Sequence, residues 1–290
     1  GIAAGHSAGS WLIENVSISN TVDSGIDATV NTGDWSVLES SIENSGQFGI
    51  AAGESTGSWT VRATTVQKVT SGIDAPGTTG DWVVKDSSIR NTNDFGIATG
   101  ESRGNWTVRS SLIETSMNAI DAPASEGEWV VTDTTINDSV IGINAAASTG
   151  SWHITDSRIL ENEAGVAGQA TAGNWTISNT RIDHNNLTGV FTRRSTSAWN
   201  IRNSALFENG GQGRPSASLQ RSFAVDAINT SGRWSIRSSL LYDNIGPAVN
   251  ATHATITGNA SLNWWAAPTG PGGNFDGDGD EAVGNVTVNP

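Results

Sequence analysis

Three carboxylates at alternate positions, Asp276, Asp278 and Asp280 in the run DGDGDE, are the best metal candidate in this sequence. That spacing can turn several oxygens toward one hard cation, so the ion they would hold is Ca²⁺. The run departs from an EF-hand loop: Glu281 stands where Gly is expected and Thr287 where a bidentate Glu would be. No cofactor is required by any other motif. No Gly-rich phosphate loop follows a strand and opens a helix. His6, His153, His184 and His253 fall in separate contexts without metal-ligand spacing and read as incidental.

Anion recognition is the second chemistry on offer. Between Arg193 and Arg237 the chain carries Arg at 193, 194, 202, 214, 221, 233 and 237, against only Glu208 and Asp226. These surround an inserted stretch, NGGQGRPSASLQRS at 209–222. A long loop on a regular scaffold is a common place for binding, and Arg193, Arg194, Arg214 and Arg221 are the candidate ligand-binding residues. The competing reading is a tolerated, solvated insertion.

The whole chain, by contrast, is acidic. Its 290 residues have a formal net charge of -14, from 29 acidic and 15 basic residues, and only Lys68 and Lys85 are lysine. Nucleic acid is excluded as the main partner, because phosphate binding needs a basic footprint. Acidic, lysine-poor composition also fits a halophilic protein. There is no cysteine, and no apolar run reaches the roughly 20 residues a membrane helix needs. Nine Asn-x-Ser/Thr sequons, at Asn15, Asn105, Asn137, Asn174, Asn186, Asn229, Asn250, Asn259 and Asn285, are glycan acceptors if the chain is exported. Residue 1 enters the repeat described next partway through, so the start reads as an excision point in a longer exported protein.

What positions these residues is a repeat. Trp11, Trp35, Trp59, Trp82, Trp106, Trp129, Trp152, Trp175 and Trp199 recur every 23 or 24 residues, and Trp234 follows after the insertion. The second residue after each Trp is Ile or Val, and the seventh is Ile, Val or Leu. A third apolar position, usually after Gly, gives Ile26, Ile50, Ile73, Ile97, Ile120 and Ile143 in the first half. Three short β-branched segments per repeat, separated by Gly, Ser, Asn and Asp, read as three short strands. Scarce Leu and Lys and the lack of a 3.6-residue period argue against helical repeats. The pattern predicts an all-β, single-stranded parallel β-helix of about ten coils, with identical residues stacked in ladders at ~4.8 Å. Ser or Thr at the fifth position after Trp, in nine of ten coils, predicts a hydroxyl stack that serves turn backbone groups.

Alternate coils share acids 47 residues apart: Asp27, Asp74 and Asp121, and Asp34, Asp81 and Glu128. Skipping a coil doubles the separation of like charges, or else the acids form a row of cation sites. The Trp side chains are expected inside or at a corner; facing outward they would make a sugar-binding track.

The coil pattern, with turns such as ENSGQFGI and LENEAGVA, resembles the right-handed parallel β-helix, pectate-lyase-like repeat proteins, especially archaeal exported ones. Their arrays often end in a segment similar to residues 263–290, which implies repeats over 1–262 and a terminal cap after them. Enzymes with this fold cut acidic polysaccharides. The Gly-His-Gly and Arg-Ile-Lys motifs of the polygalacturonase-like hydrolases are absent here. The lyases need Ca²⁺-binding acids and an Arg base, for which a basic row at the third position after Trp (Arg62, Lys85, Arg109, Arg202, Arg237) is the nearest match. The resemblance implies an extracellular structural or adhesive element at a cell or virion surface, with carbohydrate or a cell-surface protein as partner and an oligomer such as a tailspike trimer open. The alternative is a carbohydrate-binding or polysaccharide-degrading protein. The sequence leans away from an enzyme.

Overall fold

The computed structural model describes residues 1–210 and 222–288. Every regular element among them is a β-strand, and the chain is a parallel β-solenoid of about eleven turns and three sheets, against the ten coils expected. It divides into two compact units, Gly1–Asn144 and Ala145–Pro290.

In the first unit each coil contributes a Trp-led strand, such as Trp82–Lys85, a second strand that is mostly shorter, such as Leu112–Glu114, and a Gly-Ile strand, such as Ser71–Asp74. Each pairs in parallel with its equivalents one coil before and after. Trp59, Trp82 and Trp106 are register partners in the Trp sheet. Val66, Ile89 and Ile113 are partners in the short sheet, and Ile50, Ile73 and Ile97 in the Gly-Ile sheet. Strand side chains alternate between faces, so Trp and the residue two later both point inward and are buried. Trp35, Trp59, Trp82 and Trp106 are at most 2% exposed, which removes the outward sugar track. Their rings stack with centroids 4.6–4.9 Å apart and planes within 7°. Among the described residues the indole N–H groups of Trp59, Trp82 and Trp106 are buried without an acceptor. Burial of ~150–250 Å² per ring offsets that cost.

The corners explain how so short a coil closes. Three residues per coil take a left-handed backbone, as at Lys68 (φ 54), Asp86 (φ 52) and Gly77 (φ 64). One such residue turns the chain without interrupting the stack of hydrogen bonds. The predicted hydroxyl stack lines one corner. Ser87 Oγ donates to the Lys85 carbonyl (2.7 Å) and accepts from the Thr64 backbone N–H (3.2 Å). Ser40, Thr64 and Ser111 donate to the carbonyl two residues earlier in the same way. Two residues before each Trp, Gly57, Gly80 and Gly104 leave no room for a Cβ, which would overlap the preceding Gly carbonyl oxygen.

The second unit keeps this plan through Trp152, Trp175, Trp199 and Trp234. A further ladder appears here, of three buried asparagines and the half-buried Asn244. Asn162 Nδ2 donates to Asn185 Oδ1 (3.1 Å), Asn185 to Asn209 (2.9 Å) and Asn209 to Asn244 (3.2 Å). Each Oδ1 also takes the backbone N–H of the preceding asparagine. The chain ends by adding Gly279–Gly284 to the Gly-Ile sheet and Val286–Thr287 to the Trp sheet.

Candidate functional site

The three acids proposed for Ca²⁺ are used separately. Asp280 Oδ2 accepts from the backbone N–H (3.0 Å) and Nδ2 (2.9 Å) of Asn244, so it stands where the next asparagine of the ladder would. Burial pushes its carboxyl above the ordinary range, and the Asn244 hydrogen bonds oppose that. Asp278 Oδ2 accepts from Thr269 Oγ1 (3.2 Å). Asp276 lines a cavity of about 730 Å³ with Trp264, Trp265, Pro268 and Phe275. Among the described residues no three His, Asp or Glu side chains form a group that could hold a metal ion.

Of the arginines flanking the insertion, Arg193 is engaged. Its Nε donates to Oδ2 of Asp226 at 2.7 Å, and its guanidinium lies 5.0 Å from the Phe191 ring centre. Asp226 is 1% exposed, so burial raises its carboxyl above the usual range while Arg193 pulls it back. Arg194 is exposed at a left-handed corner (φ 61). Arg214 and Arg221 lie outside the described residues.

Register decides what the basic row can do. In the first unit Arg62, Lys85 and Arg109 are stacked neighbours, but acids lie at the corner beside them. Glu39 accepts from Arg62 at 3.4 Å, and Asp86 and Asp133 follow at the same corner position. In the second unit Arg202 and Arg237 are likewise in register, and their corner neighbours are Asn203 and Ser238. They line a groove of about 660 Å³ with Thr176, Asn200 and Ser235, and among the described residues no acid is in the lining. A smaller groove of about 410 Å³ shares Asn203 and Ser238 and reaches Arg181 and Leu240.

The acids repeated every second coil have local work. Asp34 Oδ1 accepts the backbone N–H of Ser58 (2.9 Å), and Asp81 Oδ1 that of Asn105 (2.8 Å), each the residue one coil on. Asn105 Oδ1 does the same for Glu128 (3.0 Å). In the other row Asp27, Ala51, Asp74, Ala98 and Asp121 are successive partners. Asp121 accepts from the amides of Asn118 and Asn144, both at 2.7 Å.

One cluster escaped sequence reasoning. Asp183 is fully buried and takes Nε (2.6 Å) and Nη2 (2.8 Å) of Arg181, while His184 Nδ1 lies 2.6 Å from its Oδ2. His184 Nε2 is 2.6 Å from Glu208 Oε2. A neutral imidazole has one N–H and can donate to only one of those carboxylates. The Arg181 guanidinium covers the Phe207 ring at 4.7 Å, and Phe207 stacks on Tyr242 at 4.7 Å with planes 6° apart. Asp183, Phe207 and Tyr242 are register partners on the outer face of the short sheet. The Asp183 bonds hold the Arg181 guanidinium above its already high value. The sequence signal was there: this outer position turns from Asn137 and Leu160 to Asp183, Phe207 and Tyr242.

A family model described as "Right handed beta helix region" matches residues 71–218. Three solved structures share the fold. Pectate lyase Pel9A aligns at 15% identity over 82% of this chain and 68% of its own, TM-score 0.51. Dettilon tailspike protein aligns at 13% identity over 97% of this chain and 60% of its own, TM-score 0.52. The periplasmic alginate epimerase AlgG aligns at 10% identity over 97% and 77%, TM-score 0.50. At such identities the likeness establishes the fold, and the chain spans less than two thirds of the tailspike. No curated protein matches the sequence.

Proposed function

The chain belongs to the right-handed β-helix family, and on that premise we propose that it is an extracellular scaffold that holds an acidic glycan at a cell or virion surface, in the groove around Arg202 and Arg237. The observation that carries this reading is the composition of that groove: two arginines in register among Asn, Ser and Thr, with no acid in the lining among the described residues, on a chain of net charge -14. Carboxylate or sulfate groups suit the planar guanidinium forks, and the amides and hydroxyls beside them suit sugar hydroxyls. Similar folds named for pectate, alginate and a tailspike support a glycan partner and an exposed location. In the same reading residues 1–262 are the repeats and 263–290 the cap, and Ca²⁺ is not required.

The test is a glycan array at low and high salt, with and without Ca²⁺, followed by product analysis. Retention of acidic glycans that falls with salt, and is lost when Arg202→Ala and Arg237→Ala are combined, is the expected result. Undiminished retention by that double variant refutes the assignment. A second reading, polysaccharide degradation, is favoured by the convergence of Asp183, His184 and Glu208. Shortened products that disappear in His184→Gln would establish it.

A further inference from the structure

The two grooves of the second unit meet at Asn203 and Ser238. From the Arg202 and Arg237 side the surface therefore continues past the corner to Arg181 and Leu240, and the Arg181 guanidinium lies over Phe207 with Tyr242 stacked beneath. We infer that this is one cleft, and that it takes a glycan in which acidic and neutral sugars alternate, its charged groups on the Arg202, Arg237 and Arg181 side and a neutral ring on Tyr242. The inference rests on the glycan-binding reading and narrows it.

Three observations place the charged and neutral positions. Arg181 is fixed in advance by two bonds to the fully buried Asp183, which leaves its remaining N–H groups pointing away from that acid. A guanidinium ordered before binding loses little freedom when it meets an anion. Asn203, between the grooves, makes no side-chain hydrogen bond among the described residues, and its amide is available to a sugar hydroxyl or carboxylate.

Tyr242 is the only tyrosine in the chain. It lies on Leu240–Tyr242, the last strand of the short sheet; Phe207 covers one ring face, and among the described residues the next coil pairs with this strand at Leu240 and Leu241, through Trp264, and not at Tyr242. Its hydroxyl makes no hydrogen bond among the described residues and remains half-buried at the surface. An aromatic face with a polar tip is the element that receives the apolar face of a sugar ring. Glu208 and Asp243 flank this end, with Glu208 facing His184. A uronate on Tyr242 would meet those carboxylates, whereas a neutral sugar offers them hydroxyl donors. The cleft is thus basic at one end and acidic at the other, which selects against a homopolymer charged on every sugar.

The experiment compares hyaluronan oligosaccharides, in which uronate alternates with a neutral amino sugar, with oligogalacturonides of matched length. Binding is measured by calorimetry on the wild type, Tyr242→Ala, Tyr242→Phe and the combined Arg202→Ala, Arg237→Ala variant. Expected are tighter binding of the hyaluronan series, a loss of about tenfold or more in Tyr242→Ala for long chains only, and retention in Tyr242→Phe. If the arginine variant loses binding while Tyr242→Ala does not, or if oligogalacturonides bind as well as hyaluronan, the single alternating-glycan cleft is wrong and the groove reading stands. If the arginine variant binds both series normally, or the wild type binds neither, the groove reading falls as well.

Discussion

Asp280 offers a sharp test of why the chain ends as it does. Replacement by Ala removes the oxygen that receives both the backbone N–H and Nδ2 of Asn244. The amide keeps the carbonyls of Leu206 (3.1 Å) and Tyr242 (3.2 Å) as acceptors, but the backbone N–H has no replacement. A hydrogen bond to a charged group is worth about 1.5–3 kcal/mol net. Part of that is consumed by burying the carboxylate, whose pKa is raised, so the expected cost is about 2 kcal/mol. Asp280→Asn keeps an oxygen at the same place and reproduces an ordinary step of the asparagine ladder. It should equal or exceed the wild type near neutral pH. A carboxyl whose folded pKa is raised contributes stability that is present below its unfolded pKa and lost as pH rises through the folded one. The advantage of the Asn variant should therefore vanish in acid and grow through the carboxylate range. Hydrogen exchange read by mass spectrometry over 240–288 is the assay, and Asp280→Ala should exchange about 30-fold faster there. Equal damage from Asn and Ala would refute the ladder-cap argument, because only a role for the charge itself, such as holding a cation, predicts it. Stabilisation of the wild type but not of the Asn variant by added Ca²⁺ would identify that role.

Two further substitutions probe the repeat. Trp106→Ala empties a site that is 1% exposed and stacked on Trp82 and Trp129, and should cost about 3–5 kcal/mol for the cavity with a further ~1–3 for the two ring contacts. Chemical denaturation followed by near-UV circular dichroism measures it, and a loss below about 1 kcal/mol, the size of a surface change, would contradict the burial. Val30 is β-branched yet left-handed (φ 55), at the corner position that Gly77 holds two coils on. Val30→Asn should stabilise by about 1 kcal/mol, and a lowered melting temperature would show that the valine is held there by packing rather than tolerated.

Much of this architecture is legible because stacking forces uniformity. Trp at a 23- or 24-residue period, the apolar residue two later and the Ser or Thr at the fifth position each occupy one row, and a row shows itself by repetition. The asparagine ladder was harder to read: Asn162, Asn185, Asn209 and Asn244 span the insertion, and asparagine is common throughout the chain. The Asp183 cluster shows in the sequence only as a change of residue type at one outer position. Arg181, Asp183 and His184 are close in sequence, but Phe207 and Tyr242 join them through strand pairing of residues 24 and 35 positions apart, and the group forms no repeat. The alternating acids were visible, but the partners of Asp34 and Asp81 were not. Each carboxylate accepts an amide one coil away, which only the register reveals.

The indole column has an optical consequence. Within the first unit six rings from Trp11 to Trp129 are stacked with centroids 4.6–4.9 Å apart, shielded from water beyond the first. Excitation passes between near-parallel rings without turning the emitting dipole, so emission from the column should be blue-shifted and should keep its polarisation as it migrates. Loss of a single interior ring divides the column into two shorter chromophores, and the protein thereby reports the continuity of its own stack without a label.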